Sequence, residues 1–210
     1  KNETYNQKWI LEQIEDISED KANAGLLLFI DSPGGGVYES DEVFEAVLKY
    51  KRETKRPVYA YFASLAASGG YYIGCSADKI FANRNTLTGS IGVIAGRFVD
   101  LTELMKKHGI KSETVHAGRN KVMGSFTEPV TEEQKKIMQS IADECYCQFT
   151  QIVSESRKLD IEKVRELADG RIYTANQAKN NGLVDDVMNF EEAKNLIYTE
   201  VFGNKDYKKE

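Results

Sequence analysis

The amino-acid sequence predicts an α/β fold with a parallel sheet and a helical C-terminal portion. Continuous apolar runs such as LLLFI at 26–30 are typical of parallel strands covered on both faces. These runs alternate with segments whose apolar residues recur at helical spacing, an order that favours right-handed βαβ crossovers. From residue 131 onwards the helical spacing dominates.

The first half of the chain alternates helices and strands. Its first helix has apolar residues from Trp9 to Ile17 on one face, and its strands are short, apolar and rich in β-branched or aromatic residues. The predicted elements are a helix over 5–20, a strand over 25–32, a helix over 39–54, strands over 58–64 and 79–83, the segment 86–94, a helix over 101–109 and a strand over 110–118.

The C-terminal portion begins with a long predicted helix over 131–159. Thr131 with Gln134 three residues later resembles a capping box at its start. Helices over 160–170 and 174–182, a short strand over 183–187 and a final helix follow. Because no internal repeat and no linker rich in Pro, Gly or Ser interrupts the sequence, we expect one α/β domain over 1–210.

Composition excludes several classes of protein. The chain has 210 residues, 41% of them apolar, and a formal net charge of −5, which argues against a nucleic-acid partner. Its longest aliphatic and aromatic run is far shorter than the ~20 residues of a membrane-spanning helix, and no signal peptide is visible. The sequence opens without Met, so we expect that a targeting or anchoring segment lies upstream.

Cysteine and histidine spacing gives no metal site. Cys75, Cys145 and Cys147 are an odd number, and two thiols two residues apart on a helix point to different faces. His108 and His116 lie in no paired arrangement. We therefore expect ordinary thiols, no metal and no organic cofactor.

Two glycine-containing stretches could form a catalytic site. DSPGGG at 31–36 and AASGG at 66–70 each follow an apolar strand and precede a helix. Glycines there leave backbone N–H groups free to bind an oxyanion, and Ser68 would sit at a strand-to-helix turn, as a nucleophile elbow does. Each stretch taken alone is also explained by a tight turn or by close helix packing.

A nucleophilic serine needs a base, and the sequence offers two kinds. His116 ends a predicted strand. Lys121 follows the same strand and a glycine-containing turn, beside Val122 and Met123. A lysine acts as a base only when its amine is neutral, which burial favours.

Taken together, the motifs resemble the signal peptide peptidase A family of bacterial serine–lysine peptidases. The resemblance covers roughly residues 25–190 and implies a fold of stacked βαβ units, related to the Clp protease and to crotonases. The motifs, in chain order, are DSPGGG, AASGGYYI, ADKIFAN, TLTGSIGV, GRNKVMGS and DGRIYTANQAKNNGLVD.

The resemblance assigns roles to individual residues. Ser68 matches the family nucleophile, Lys121 the general base and Ser90 a serine that orients the lysine. The amides of Gly35 and Gly69 match the oxyanion hole. Here Asn120 and Val122 flank the lysine, which departs from the family pattern and affects the rim of the site.

The resemblance also implies substrates, partners and location. Substrates would be apolar peptides such as the remnants of cleaved signal peptides, and the chain would form a homo-oligomer. It would be held at the bacterial cell membrane through a segment missing from this chain, with the catalytic domain on the extracytoplasmic side. Three alternatives stay open: a Clp-type peptidase, whose histidine would fall near Val93, a crotonase-type acyl-CoA enzyme, and a non-enzymatic assembly module.

Overall fold

The structure, a computed structural model, describes residues 5–203. Within that range the chain forms eight helices and six strands. It divides into two compact units, one made of residues up to 92 and from 149 onward, the other of residues 93–148. The single catalytic domain expected over 1–210 stays a prediction.

The larger unit contains all of the strands found in the described residues. The smaller unit contains α4 and the first part of α5, because the boundary at 148/149 falls within that helix. In chain order the elements are α1 (Gln7–Glu19), β1 (Leu26–Ser32), α2 (Val37–Thr54), β2 (Val58–Ala67), α3 (Gly69–Gly74), β3 (Lys79–Ala82), β4 (Leu87–Gly89), α4 (Thr102–Lys107), α5 (Glu132–Arg157), α6 (Ile161–Leu167), β5 (Ile172–Thr174), α7 (Ala175–Asn180), β6 (Asp186–Val187) and α8 (Phe190–Phe202).

Strand β2 organises the sheet of the larger unit. The strand order is β5-β4-β2-β3-β6, and β1 also pairs with β2. The first half of β2 lies between β1 and β3, and residues 65–67 pair with β4. All of these pairings are parallel, as the sequence predicts, while β5 adds an antiparallel strand to β4.

The core of the larger unit covers both faces of β2. Tyr59 and Tyr61 pack in a cluster with α8 on one face. Phe62, which alternation places on the other face, has its ring 6.0 Å from that of Tyr71 in α3. This double burial explains why β2 is a continuous apolar run rather than an alternating one.

Most of the predicted elements are present, with small shifts at their ends. The capping box at the start of α5 is confirmed. The backbone N–H of Gln134 donates to Thr131 Oγ1, and the backbone N–H of Thr131 donates to Gln134 Oε1, both at 3.2 Å. Strand β5 was not predicted.

The strand predicted over 110–118 is wrong. These residues have no regular secondary structure, and the side chains from 111 to 118 are all exposed. No strand among the described residues pairs with this segment, so it has neither a ladder nor a core to stabilise an extended strand. His116 consequently lies in a loop, and Lys121 does not directly follow a strand.

Within residues 5–203, no helix is both long enough and apolar enough to span a bilayer.

Candidate active site

Ser68 lies at a sharp turn between β2 and α3, as the sequence predicts. Its backbone has φ 50° and ψ −121°, a conformation that costs a non-glycine residue about 1–3 kcal/mol. Two backbone hydrogen bonds hold this turn. The Ser68 N–H donates to the Gly89 carbonyl at 2.8 Å, and the Ser68 carbonyl accepts from the Tyr72 N–H at 2.9 Å. The strand, the strained turn and the helix together form a nucleophile elbow.

The small residues around Ser68 allow the glycine loop, residues 33–36 between β1 and α2, to pack against it. A Cβ atom at Gly34, where φ is +107°, would lie 2.8 Å from Ser68 Cβ and 2.7 Å from the Gly69 nitrogen. At Gly70 a Cβ atom would lie 2.9 Å from the Ser32 carbonyl oxygen. Because these distances are shorter than any real Cβ contact, glycine is required at both positions.

The same packing brings Gly35 beside Gly69. A Cβ atom at Gly69 would lie 3.1 Å from the Gly35 nitrogen, whereas Gly35 itself is exposed and faces open space. In the part of the chain that the structure describes, neither of these two amides donates a backbone hydrogen bond. Two free N–H groups thus lie close to Ser68, and such a pair can bind an oxyanion.

Ser90 occupies the position next to Ser68 in the neighbouring strand. Ala67 in β2 pairs with Gly89 in β4, and neighbouring strands lie about 4.8 Å apart. The two serines that follow these residues therefore lie side by side at the carboxyl edge of the sheet. The Ser90 N–H donates to the Arg171 carbonyl at 2.8 Å, which fixes its backbone to the segment before β5.

Both serines have an uncommon backbone conformation. Among the described residues, four that are not glycine have positive φ, including Ser68 at 50° and Ser90 at 49°. The other two, Lys55 and Lys158, directly follow the C-terminal ends of helices, where the left-handed conformation is common. The serines have no such explanation, and strain of this kind is concentrated at functional sites.

Lys121 belongs to the smaller unit, whereas Ser68, Gly69, Gly35 and Ser90 belong to the larger one. It lies in a series of turns, the first of which is closed by a hydrogen bond from the Lys121 N–H to the Gly118 carbonyl at 3.0 Å. Its side chain is exposed. The predicted glycine-containing turn is therefore present, but the burial expected from Val122 and Met123 is absent in the single chain.

The other candidate groups are placed less favourably. His116 is exposed, and its Nδ1 lies 3.1 Å from the Gly118 carbonyl oxygen. Cys75 is buried behind the elbow, and this burial raises the pKa of its thiol to about 12, although Arg157 opposes the shift. A thiol with that pKa is not a nucleophile near neutral pH. Residues 5–203 contain no cluster of His, Cys, Asp or Glu side chains that could hold a metal ion.

Two residues of the site are missing from the sequence-based prediction. Gly34, rather than Gly35, makes the closest approach to the elbow. Ser40 is only 5% exposed, and its Oγ donates to the Gly36 carbonyl at 2.9 Å. The same Oγ would lie 2.3 Å from a Cβ atom at Gly69, so it closes the space beside that glycine. A serine four residues after the glycine run was the available signal, but a helical serine is too common to be singled out.

Comparison with known proteins places the chain in a peptidase family. Residues 50–201 match the family model of peptidase family S49. A protein from Enterococcus faecium, provisionally named signal peptide peptidase SppA, is 43% identical over 94% of this chain and 57% of its own length. A chloroplastic serine protease SPPA from Arabidopsis thaliana is 36% identical over 85% of this chain and 26% of its own length. Protease 4 from Haemophilus influenzae is 33% identical over 84% and 28%. This chain therefore spans about half of one relative and about a quarter of the other two.

The fold also matches a solved structure. A ClpP1 mutant from Listeria monocytogenes superimposes with a TM-score of 0.58 over 88% of this chain and 85% of its own, at 17% sequence identity. The Clp protease-like α/β fold expected from the motifs is thus confirmed.

Proposed function

Because the chain belongs to peptidase family S49, we propose that it is a serine peptidase in which Ser68 is the nucleophile and Lys121 the general base. The observation that carries this proposal is the strained elbow at Ser68 beside two free backbone N–H groups. The role of Lys121 is supported by its motif and by the family, and it awaits the test below.

The reaction would proceed in two steps. The neutral amine of Lys121 removes the proton of the Ser68 hydroxyl while the oxygen attacks the scissile carbonyl. The N–H groups of Gly35 and Gly69 stabilise the resulting oxyanion. The tetrahedral intermediate collapses to an acyl-enzyme as the lysine ammonium protonates the leaving amine, and water then attacks the ester with the lysine again acting as base. Ser90 would orient the lysine amine.

Lys121 must lose its water contacts in order to work as a base. Since its side chain is exposed in the single chain, we propose that a second copy of the chain supplies the missing cover in a homo-oligomer. The smaller unit supports this, because it exposes several large apolar side chains that a second copy could cover. They are Ile94, Val99, Leu104, Ile110, Val115, Phe126 and Ile141.

The proposed substrates are apolar peptides in extended conformation, such as signal-peptide remnants. Support comes from the name of the Enterococcus relative and from Gly35, which faces open space beside Ser68 and leaves room for a peptide backbone. We place this activity at the extracytoplasmic face of the bacterial cell membrane, which fractionation of cells would test. Cleavage of a mixed peptide library should occur next to aliphatic or aromatic residues, and a preference for charged residues would contradict the proposal.

The decisive experiment compares four variants. Ser68→Ala and Lys121→Ala should each abolish hydrolysis of an unstructured apolar peptide without changing the circular dichroism spectrum. The matched controls are Ser64→Ala, an exposed serine in the same strand, and Lys111→Ala, an exposed lysine in the smaller unit, and both should remain active. A fluorophosphonate probe should label Ser68 in the wild type.

Activity in the Ser68 variant would overturn the proposed function. Activity in the Lys121 variant alone would overturn the lysine mechanism and favour His116 as the base.

A further inference from the structure

The pairing between β1 and β2 is interrupted just before both strands reach the site. Ile30 pairs with Phe62, but Ser32, two residues further along, pairs with Ala66. Two residues of β1 thus span four residues of β2, and backbone pairing to β1 is lost over 63–65. The two strands that carry Gly35 and Ser68 are therefore not held together there by a regular ladder.

Side chains replace the missing ladder. Asp31 Oδ1 accepts a hydrogen bond from the Leu65 N–H at 2.9 Å. The buried Thr86 hydroxyl lies 2.9 Å from the Phe62 carbonyl oxygen and 2.6 Å from that of Ala63, to which it donates. The Asp31 bond is the one that crosses from β1 to β2, because Thr86 comes from the segment before β4.

We propose that Asp31 is a positioning residue for the oxyanion hole. Its carboxylate connects the end of β1, four residues before Gly35, to a point in β2 three residues before Ser68. It therefore sets how far the Gly35 amide lies from Ser68 and Gly69. This inference rests on the proposed function of these three residues.

A positioning role predicts a particular kinetic signature. A displaced oxyanion donor weakens binding of the transition state more than binding of the substrate. Asp31→Ala should lower kcat by about 10- to 100-fold and leave KM within about twofold of wild type. Asp31→Asn retains an acceptor oxygen at the same place and should keep kcat within about threefold of wild type.

The chain offers a matched control at the opposite end of β2. Asp78 Oδ2 accepts a hydrogen bond from the Val58 N–H at 2.8 Å, and its other oxygen pairs with Lys51 at 2.7 Å. Asp78→Ala removes the same type of bond from the same strand and also breaks an ion pair. It should lower the melting temperature at least as much as Asp31→Ala, while kcat stays within about twofold of wild type.

Four measurements decide the matter: kcat, KM, the melting temperature and the rate at which fluorophosphonate labels Ser68. Slow labelling with Asp31→Ala, recovered with Asp31→Asn, supports the inference. Equal kcat losses in Asp31→Ala and Asp78→Ala would reduce Asp31 to a structural residue and overturn it, as would an Asp31→Asn variant as slow as Asp31→Ala. The proposed function fails separately, through activity that persists in Ser68→Ala.

Discussion

Ser68 places a side chain in a backbone conformation that glycine adopts more readily. Its φ and ψ of 50° and −121° are close to the mirror image of an extended residue, a region that only glycine enters without strain. The surrounding hydrogen bonds and the glycine loop hold this conformation in place. The position is therefore optimised for exposing a hydroxyl rather than for stability.

Replacing Ser68 should reveal this strain. Ser68→Gly should be more stable than Ser68→Ala by about 1 kcal/mol, because relief of strain exceeds the entropic cost of glycine. Urea denaturation of the two inactive variants measures the difference. Equal stabilities would mean that the conformation at position 68 is not strained.

Ser90 should affect the rate of the reaction rather than the fold. Ser90→Ala should lower kcat/KM by about 10- to 100-fold, because a hydrogen bond that orients the proposed base is lost. The measurement is kcat/KM on an unstructured apolar peptide, with Ser64→Ala as control and circular dichroism to check the fold. An unchanged kcat/KM would make Ser90 a structural turn residue.

At the scale of elements, the apolar pattern predicts those strands that are buried on both faces. The apolar run of β2 was sufficient to predict this strand, and the apolar faces of α2 and α5 were sufficient to predict these two helices. β5 has only three residues, and its outer two are exposed, so its existence depends on pairing with β4 and not on its own pattern. The segment 110–118 shows the converse, since residues with some strand propensity do not form a strand when no neighbouring strand pairs with them.

The end of α5 is fixed by a buried ion pair. Arg157, whose side chain is 6% exposed, contacts both oxygens of Asp185 at 2.9 Å and donates to the Gly182 carbonyl. Burial lowers the pKa of Arg157, but the hydrogen bond to Asp185 and the nearby charges together outweigh it, so the pKa is raised. Asp185 also accepts from the Ile80 N–H at 2.7 Å, so the pair joins α5 to the sheet.

Breaking this pair should destabilise the protein strongly. Arg157→Ala should cost about 2–4 kcal/mol, somewhat less than for a fully buried pair because the Asp185 side chain is 37% exposed. Arg165→Ala, which removes a pair with Glu162 on the surface of α6, should cost less than about 0.5 kcal/mol. Chemical denaturation of both variants tests this, and similar losses would contradict it.

At the scale of the whole molecule, motif order predicts which residues form the candidate site but does not show which unit each residue belongs to. Ser68, Ser90, Gly35 and Gly69 are joined by strand register and by glycine packing within one unit, which the order of strands and glycine turns anticipates. Lys121 falls in the other unit and is exposed. No sequence pattern could show this, because the cover that a lysine needs can come from a segment distant in sequence or from another chain.

Assembly should depend on the apolar surface of the smaller unit. Val115 is 95% exposed, and Val115→Asp should shift the chain towards the monomer and reduce peptidase activity together, since a charge buried in an interface is costly. Light scattering coupled to size-exclusion chromatography measures the mass. Glu113→Lys, in the same exposed segment, changes charge without removing apolar area and should assemble normally. A wild-type chain that is active as a monomer would contradict the prediction.

The central place of β2 has a consequence for the time at which reactivity appears during folding. The Gly89 carbonyl that accepts the Ser68 N–H belongs to β4, which follows the turn in the sequence. The glycine loop follows β1, which pairs with the same central strand. We therefore expect that a newly made chain with an incomplete sheet has the serine but not the assembled site. The proposed peptidase would then be harmless to the unfolded chains around it, its own copies included, until its own folding is finished.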